Sequence, residues 1–295
     1  MYKDIFGKNR VKINFHTHTT RSDGVKTPKE AAEIYKKAGY DCIAITDHYI
    51  FSESKCLSGL KILSGAEYDT NLCFGREGVY HILALGCARD PKIKKEEGLP
   101  AEKIVERILS VGGTPVLAHP AWSLNFPETA VALSDVAITE IYNSVSDTGQ
   151  SSRPYSGGFA DLAACLGKPM LLLATDDTHY YELDRTKAAV MVECEQNASE
   201  AEILAAVREG KFYATEGNGG PEAHIAKEGD EIVVRSSPVS RISLFTNVAW
   251  ADGLCLRGEK LTEHRHRISP RERFVRAEVT DAEGRKAYTN YIVLP

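Results

Sequence analysis

The chain has 295 residues, 43% of them hydrophobic and 26% charged, with a formal net charge of −5. That length and apolar content support a large buried core and exclude disordered, collagen-like and coiled-coil classes. The acidic balance provides no global basic field for nucleic acid, so any bound polyanion must meet local positive charge.

The first residues, Met1-Tyr2-Lys3-Asp4-Ile5, lack the basic-then-apolar run of a secretory signal, and apolar runs such as Met170 to Ala174 are too short to span a bilayer, so a cytoplasmic location is expected. Up to about Thr215, β-rich apolar runs alternate with helical stretches, the pattern of parallel strands joined by crossover helices. The predicted strands are Val11–His18, Cys42–Asp47, Ile62–Glu67, His81–Leu85, Thr114–His119, Ala137–Tyr142, Met170–Thr175 and Ala189–Glu193. Thr27-Pro28-Lys29-Glu30 reads as an N-cap, a proline at the first helical position and a capping-box glutamate, with Gly39 closing that helix. Further helices are expected over Ala101–Val111, Tyr155–Leu166 and Ser199–Glu209. The arrangement resembles a β/α barrel.

Beyond Gly217 the helical periodicity disappears, and Glu231–Arg235, Arg241–Thr246, Phe274–Thr280 and Tyr288–Val293 read as strands separated by turns. A barrel domain over 1–216 and a small all-β domain over 217–295 are expected, with the boundary in Glu216-Gly217-Asn218-Gly219-Gly220-Pro221. Seven cysteines, at 42, 56, 73, 87, 165, 194 and 255, never show C-x-x-C spacing, so they read as free, buried or half-buried thiols.

Six histidines, at 16, 18, 48, 81, 119 and 179, lie at or just beyond predicted strand ends, most with acidic neighbours. His16-Thr17-His18 directs two imidazoles to one side, because alternate strand residues share a face. Asp23 follows in a Ser-Asp-Gly turn, and Thr46-Asp47-His48, Gly65-Ala66-Glu67, Ala118-His119-Pro120 and Asp176-Asp177-Thr178-His179 end other strands. In a parallel barrel those ends open on one face, where active sites are built. His81 begins its run, which places it there only if its strand runs the other way. Imidazoles mixed with carboxylates and without thiolates suit catalytic zinc, manganese or iron.

These motifs resemble those of the PHP (polymerase and histidinol phosphatase) superfamily of metal-dependent phosphoesterases, over about residues 11–215. His16-Thr17-His18-Thr19 with Ser22-Asp23-Gly24 is similar to its first motif, Thr46-Asp47-His48 to its second, Ala118-His119-Pro120 to its third and Asp177-Thr178-His179 to its fourth. The resemblance implies a distorted seven-stranded β/α barrel with two or three divalent metal ions. It implies one ion on His16, His18, Glu67 and Asp177, a second on Glu67, His81 and His119, and a third on Asp23, His48 and His179, with Glu67, Asp177 and His48 at the catalytic centre. Three divalent ions against the Asp23, Glu67 and Asp177 carboxylates would leave the pocket at about +3, which favours an anionic substrate. A metal-activated hydroxide would then attack phosphorus without a protein nucleophile. Glu140-Ile141-Tyr142-Asn143, the Asp176–His179 tetrad and Gly210–Thr215 also resemble the stand-alone CehA/McbA-type branch, which includes carbamate-ester and amide hydrolases.

Among secondary candidates, Asp47 and Asp176 read either as carboxylates orienting a metal-bound imidazole or as strand-end caps. Arg153, Arg21 and Arg185 are placed to contact a substrate phosphate or to sit solvated at the surface. His264-Arg265-His266 lies in a basic run and reads as a solvated loop. Trp122, Trp250 and Phe126 can stack on a base or pack. The expected function is hydrolysis of a small phosphorylated metabolite, nucleotide or short oligonucleotide. The alternatives are a carbamate-ester or amide metallohydrolase and a non-catalytic metal-binding or ligand-sensing module. Long nucleic acid is disfavoured as a partner unless Arg265, Arg267, Arg271, Arg273 and Arg276 form a basic lip.

Overall fold

A computed structural model describes residues 2–70, 78–96, 98–149 and 151–295. The helix that begins at the Thr27 cap runs Pro28–Lys37, and both halves of its capping box are formed. The others are Ala101–Ser110, Pro127–Ala132, Gly157–Cys165 and Glu200–Arg208, the last also with a complete capping box at Ser199.

Among the described residues the strands form two sheets, one of thirteen strands and one of five. In the larger sheet Asn9–Asn14 pairs in parallel with Cys42–Ala44, which pairs in parallel with Leu60–Leu63. On the other side of Asn9–Asn14 lies Ala188–Glu193, antiparallel. The smaller sheet runs Leu171–Thr175, Ile138–Asn143, Thr114–Leu117, His81–Leu85, Gly65–Asp69. Its His81–Leu85 strand is antiparallel to both neighbours. His81 therefore starts its strand opposite Asp69, at the same end as the carboxyl ends of its neighbours.

The run expected as one strand over Ile62–Glu67 is two. Leu63 ends a strand of the larger sheet and Gly65 opens a strand of the smaller. Between them the Ser64 amide donates to the Glu200 carboxylate instead of to a sheet neighbour. A Cβ at Gly65 would come within 2.9 Å of Thr46 Cγ2 and 3.0 Å of the Ile45 carbonyl oxygen, so only glycine lets the chain pass there. The two sheets also meet through isolated parallel bridges, Thr17 with Thr178 and His48 with Glu67. Val11, Ile13 and Phe15 pack with Leu83, Val116 and Leu173 in the interior that both sheets share.

The C-terminal strands continue the larger sheet. Phe212–Glu216 pairs with Lys286–Tyr288, which pairs with Phe274–Thr280. The two strands expected at Glu231–Arg235 and Arg241–Thr246 are one, Glu231–Thr246, whose register slips around Pro238, a residue that cannot donate to a ladder. His264-Arg265-His266 is no loop: it lies in the strand Cys255–Arg267, with His266 buried against Glu272 at 2.9 Å. A run of charges alternating across a strand that pairs on one side only has the composition of a solvated loop.

The basic run is equally unlike its composition. Arg276 is fully buried and donates to Asp161 at 2.7 and 2.8 Å and to Glu278 at 2.6 Å, while Arg265 pairs with Glu228, Glu231 and Glu263. Of the cysteines, Cys42 and Cys87 are buried and Cys194 half-buried, but Cys56, Cys165 and Cys255 are exposed, all six as free thiols; Cys73 lies outside the described residues. No helix among the described residues is long and apolar enough to cross a membrane.

Candidate metal centre

The strand Asn9–Asn14 delivers His16, Thr17 and His18 to the rim where the two sheets meet. The chain then folds back so tightly that a Cβ at Gly24 would lie 2.5 Å from the His18 carbonyl group. This return loop, which carries Asp23, hangs on Asp47: the Thr19 amide donates at 2.7 Å, the Thr19 hydroxyl at 2.8 Å and the Ser22 hydroxyl at 3.0 Å. Of its two sequence readings Asp47 thus takes that of a cap, and it shapes the loop. Asp176 is likewise a cap. It accepts from the Tyr35 hydroxyl at 2.7 Å and from the amides of Thr186, Lys187 and Ala188, and its complete burial raises its pKa to about 7.

Glu67 stands at the middle of the cluster. Its Oε2 lies 3.2 Å from His16 Nε2, 3.0 Å from His18 Nε2 and 3.3 Å from His48 Nδ1, and its Oε1 lies 2.9 Å from His81 Nδ1 and 3.3 Å from His119 Nε2. Asp177 Oδ1 lies 3.0 Å from His16 Nε2 and 3.1 Å from His18 Nε2. Asp23 faces His18, His48 and His179 at 3.5, 3.7 and 3.5 Å. All nine residues singled out from the sequence as ligands are gathered here. Two of them sit on strained backbone, Asp177 at φ 51° and His119 at φ 28°, conformations that surroundings must impose.

Burial opposes charge throughout, and the partners decide the outcome. For Glu67 and Asp177 burial would raise the pKa, yet His16 and the neighbouring imidazoles hold both carboxyls well below their usual range. His48 is pushed down to about 4, chiefly by burial. Burial works against the charge on His179 too, but Asp23 and Asp177 raise it to about 9.

Among the described residues, three sets of side chains place one donor atom each within 4.8 Å of the others: His16, His18, Glu67 and Asp177; His18, Asp23, His48 and His179; and His48, Glu67 and His81. The first has the membership that the resemblance implied, and the second gains His18. In the third, His48 stands where His119 was expected, and His119 Nε2 lies beside Glu67. Two buried atoms of these sets, Asp177 Oδ1 and His48 Nδ1, make no hydrogen bond. The Nε2 atoms of His16 and His18 also face each other at 3.1 Å. Orphaned donors converging on common points, with carboxylates kept ionised, fit divalent cations.

Arg21 is placed elsewhere, its guanidinium donating to Ser52 Oγ at 2.6 Å and to the Phe51 carbonyl at 3.0 Å. Arg185 bonds the Tyr181 carbonyl. Arg153 is exposed, and neither it nor Arg21 lines the cavity beside the cluster, which has a volume of about 210 Å³. Sequence reasoning met Glu140 and Asn143 only in a motif of resemblance, Asn143 also as a residue lining the pocket or packing, and missed Asp184 altogether; the structure makes all three supports. Glu140 holds His16 Nδ1 at 2.8 Å, the Asn143 amide donates to Glu140 and to Asp177 Oδ2, and Asp184 accepts from the His179 amide at 2.6 Å. A carboxylate and an amide within the otherwise buried run Ile138–Asn143 were the available signal.

No family model matches the chain. Over 37% of its length it is 30% identical to the uncharacterized protein MJ1587 of Methanocaldococcus jannaschii, of which it covers 68%. A solved two-domain protein of Bacteroides vulgatus, described as containing a predicted PHP-like metal-dependent phosphoesterase, superposes with a TM-score of 0.57 at 17% identity. That match covers 99% of this chain and 98% of the other. An amidohydrolase of Chromobacterium violaceum, solved with bound sulfate and no metal, gives a TM-score of 0.43 at 16% identity, over 58% of this chain and 89% of the other.

Proposed function

We propose, for a chain that belongs to the same family as MJ1587 and has a PHP-like fold, a metal-dependent phosphoesterase acting on a small phosphorylated substrate. The observation that carries this reading is the sharing of Glu67: both carboxylate oxygens lie within 3.3 Å of imidazole nitrogens, on two sides of the group. His16, His18, Glu67 and Asp177 would hold one ion, Glu67 with His48, His81 and the adjacent His119 a second, and Asp23, His18, His48 and His179 a third. Zinc, manganese and iron all suit such donors. When bound, two or three such ions supply positive charge, lower the pKa of water and stabilise attacking and leaving oxygens.

The protein's own contribution is placement. Glu140 accepts at His16 Nδ1 and turns Nε2 toward the cluster, and Ser123 Oγ, 2.9 Å from His119 Nδ1, does the same for His119. Glu67, Asp177 and His48 present their donor atoms to the cavity. A volume of about 210 Å³ suits a small ester. We read residues 1–216 as the distorted seven-stranded barrel, closed by the Thr17–Thr178 and His48–Glu67 bridges, and 217–295 as an accessory β domain.

The test is a panel of chromogenic phosphomonoesters, phosphodiesters, carboxylic esters and carbamates with protein loaded with Mn²⁺ or Zn²⁺. Cleavage of phosphate esters supports the reading. Turnover confined to carbamates or carboxylic esters would move the chain to amide and ester hydrolysis, and silence on every compound would leave a non-catalytic metal-binding module.

A further inference from the structure

We propose that the cavity beside Lys12 is a second ligand site, independent of the metal cluster, in which the Lys12 amine takes a small aldehyde as an imine. The cavity holds about 500 Å³, against about 210 Å³ beside the cluster, and the two share no described residue. Among the described residues its lining includes Lys12, Tyr2, Met191, Tyr213, Gln196 and Asn218. That volume suits a small organic molecule, and Tyr2, Tyr213 and Met191 give its carbon skeleton apolar surface.

Lys12 is half-buried on the strand Asn9–Asn14, and its Nζ is held in place. Nζ donates to the Asn218 side-chain oxygen at 2.6 Å, lies 3.5 Å from the Ala38 carbonyl oxygen and stands 4.0 Å from the centre of the Tyr40 ring. These three partners are neutral. Asp41, which also lines the cavity, accepts from the Lys12 backbone amide at 2.8 Å and from the Gln196 side-chain amide. The remaining titratable groups of the described lining are the phenols of Tyr2 and Tyr213. Burial pushes the Lys12 ammonium down to about 8, with Asp176 and Asp41 pulling the other way. The free base keeps a hydrogen to donate to Asn218 and frees its lone pair. A lysine amine released near neutral pH and held at a cavity wall is the arrangement from which imines form. Nζ adds to the carbonyl carbon as the C=O π bond breaks. The resulting carbinolamine then loses its oxygen, with the two amine hydrogens, as water and leaves C=N.

The experiment treats the full chain with benzaldehyde, traps imines with cyanoborohydride and follows each modified lysine by peptide mass spectrometry. At about pH 7.5, Lys12 is expected to label on the order of tenfold faster than Lys29, which is exposed, because far more of its amine is unprotonated. Its rate should also saturate as benzaldehyde is raised, whereas that of Lys29 rises in proportion. Asn218→Asp sets a carboxylate beside Nζ at an exposed position, and should cut the Lys12 rate severalfold while leaving Lys29 unchanged. Labelling of Lys12 no faster than Lys29 would overturn the inference. So would a Lys12 rate that never saturates, which would describe a reactive amine without a site, and so would an Asn218→Asp variant that labels like the parent.

Discussion

His16 Nδ1 and Glu140 Oε1 lie 2.8 Å apart in a fully buried pair. Glu140 is bound from every side: the Thr175 hydroxyl donates to the same oxygen at 2.7 Å, and the Asn143 amide and the His119 backbone amide donate to Oε2 at 2.8 and 2.9 Å. One carboxylate thus fixes the ring orientation of His16 and the backbone of His119, each two residues beyond a strand, one strand from each sheet.

Glu140→Gln keeps the volume but weakens the acceptor at His16 Nδ1 and presents a donor to groups that already donate. The affinity for the ion on His16, His18, Glu67 and Asp177 should fall roughly 10–100-fold, the usual cost of losing such a support. Competition with a chromophoric chelator measures it, and unchanged affinity would show that His16 needs no partner.

The return loop gives a site-selective prediction. Asp47→Ala removes the bonds that hold Thr19 and Ser22, and Asp23 travels with that loop. The variant should lose the ion on Asp23, His48 and His179 while keeping the one on His16 and Asp177, so elemental analysis should drop by about one ion per chain. Full stoichiometry would make the loop self-supporting.

The parts of this site legible in the sequence were those where a strand ends in a histidine or an acid beside one. His16, His18, His48, Glu67, His119, Asp177 and His179 are of this kind, Asp23 stands in the turn that follows the first of them, and His81, which begins its strand, fitted only if that strand ran the other way, as it does. Glu140 was hidden because an acid inside Ile138–Asn143 has the spacing of any solvent-facing strand residue; its burial depends on partners from three other segments. The split at Ser64 was hidden for a related reason: the apolar pattern runs through it unbroken, and only the approach of Thr46 to Gly65 reveals the crossing. In the C-terminal part, composition misled. Charges read as a solvated loop are a ladder of ion pairs on a strand, and an arginine counted as surface charge is the buried link to Asp161.

That link carries a stability prediction. Arg276→Met leaves Asp161 and Glu278 without their shared cation, Glu278 in a buried position. Breaking one side of such a pair costs roughly 3–5 kcal/mol. Denaturant unfolding of the metal-free protein should register a loss on that scale, and a change under about 1 kcal/mol would mean that the flanking tyrosines, Tyr155 and Tyr291, satisfy both acids unaided.

Arg265 and Arg276 are committed to acids of this chain and Arg267 faces Asp230, so Arg271 and Arg273 are what the run has left to offer a long polyanion, fewer charges than its composition suggests. The rate on a mononucleotide should equal or exceed that on a long oligonucleotide, with a weak salt dependence for both. An oligonucleotide preference that collapses as salt rises would make the C-terminal strands a nucleic-acid contact.

The central claim, that this cluster is a metal centre for phosphoryl chemistry, is tested most directly by titrating chelator-stripped protein with Mn²⁺ or Zn²⁺ while following phosphate release from a small phosphate ester. The account predicts no release without metal, and a rate that climbs to a plateau at two to three equivalents per chain. Protein shown by elemental analysis to carry its full complement of ions, yet releasing no phosphate, would contradict it.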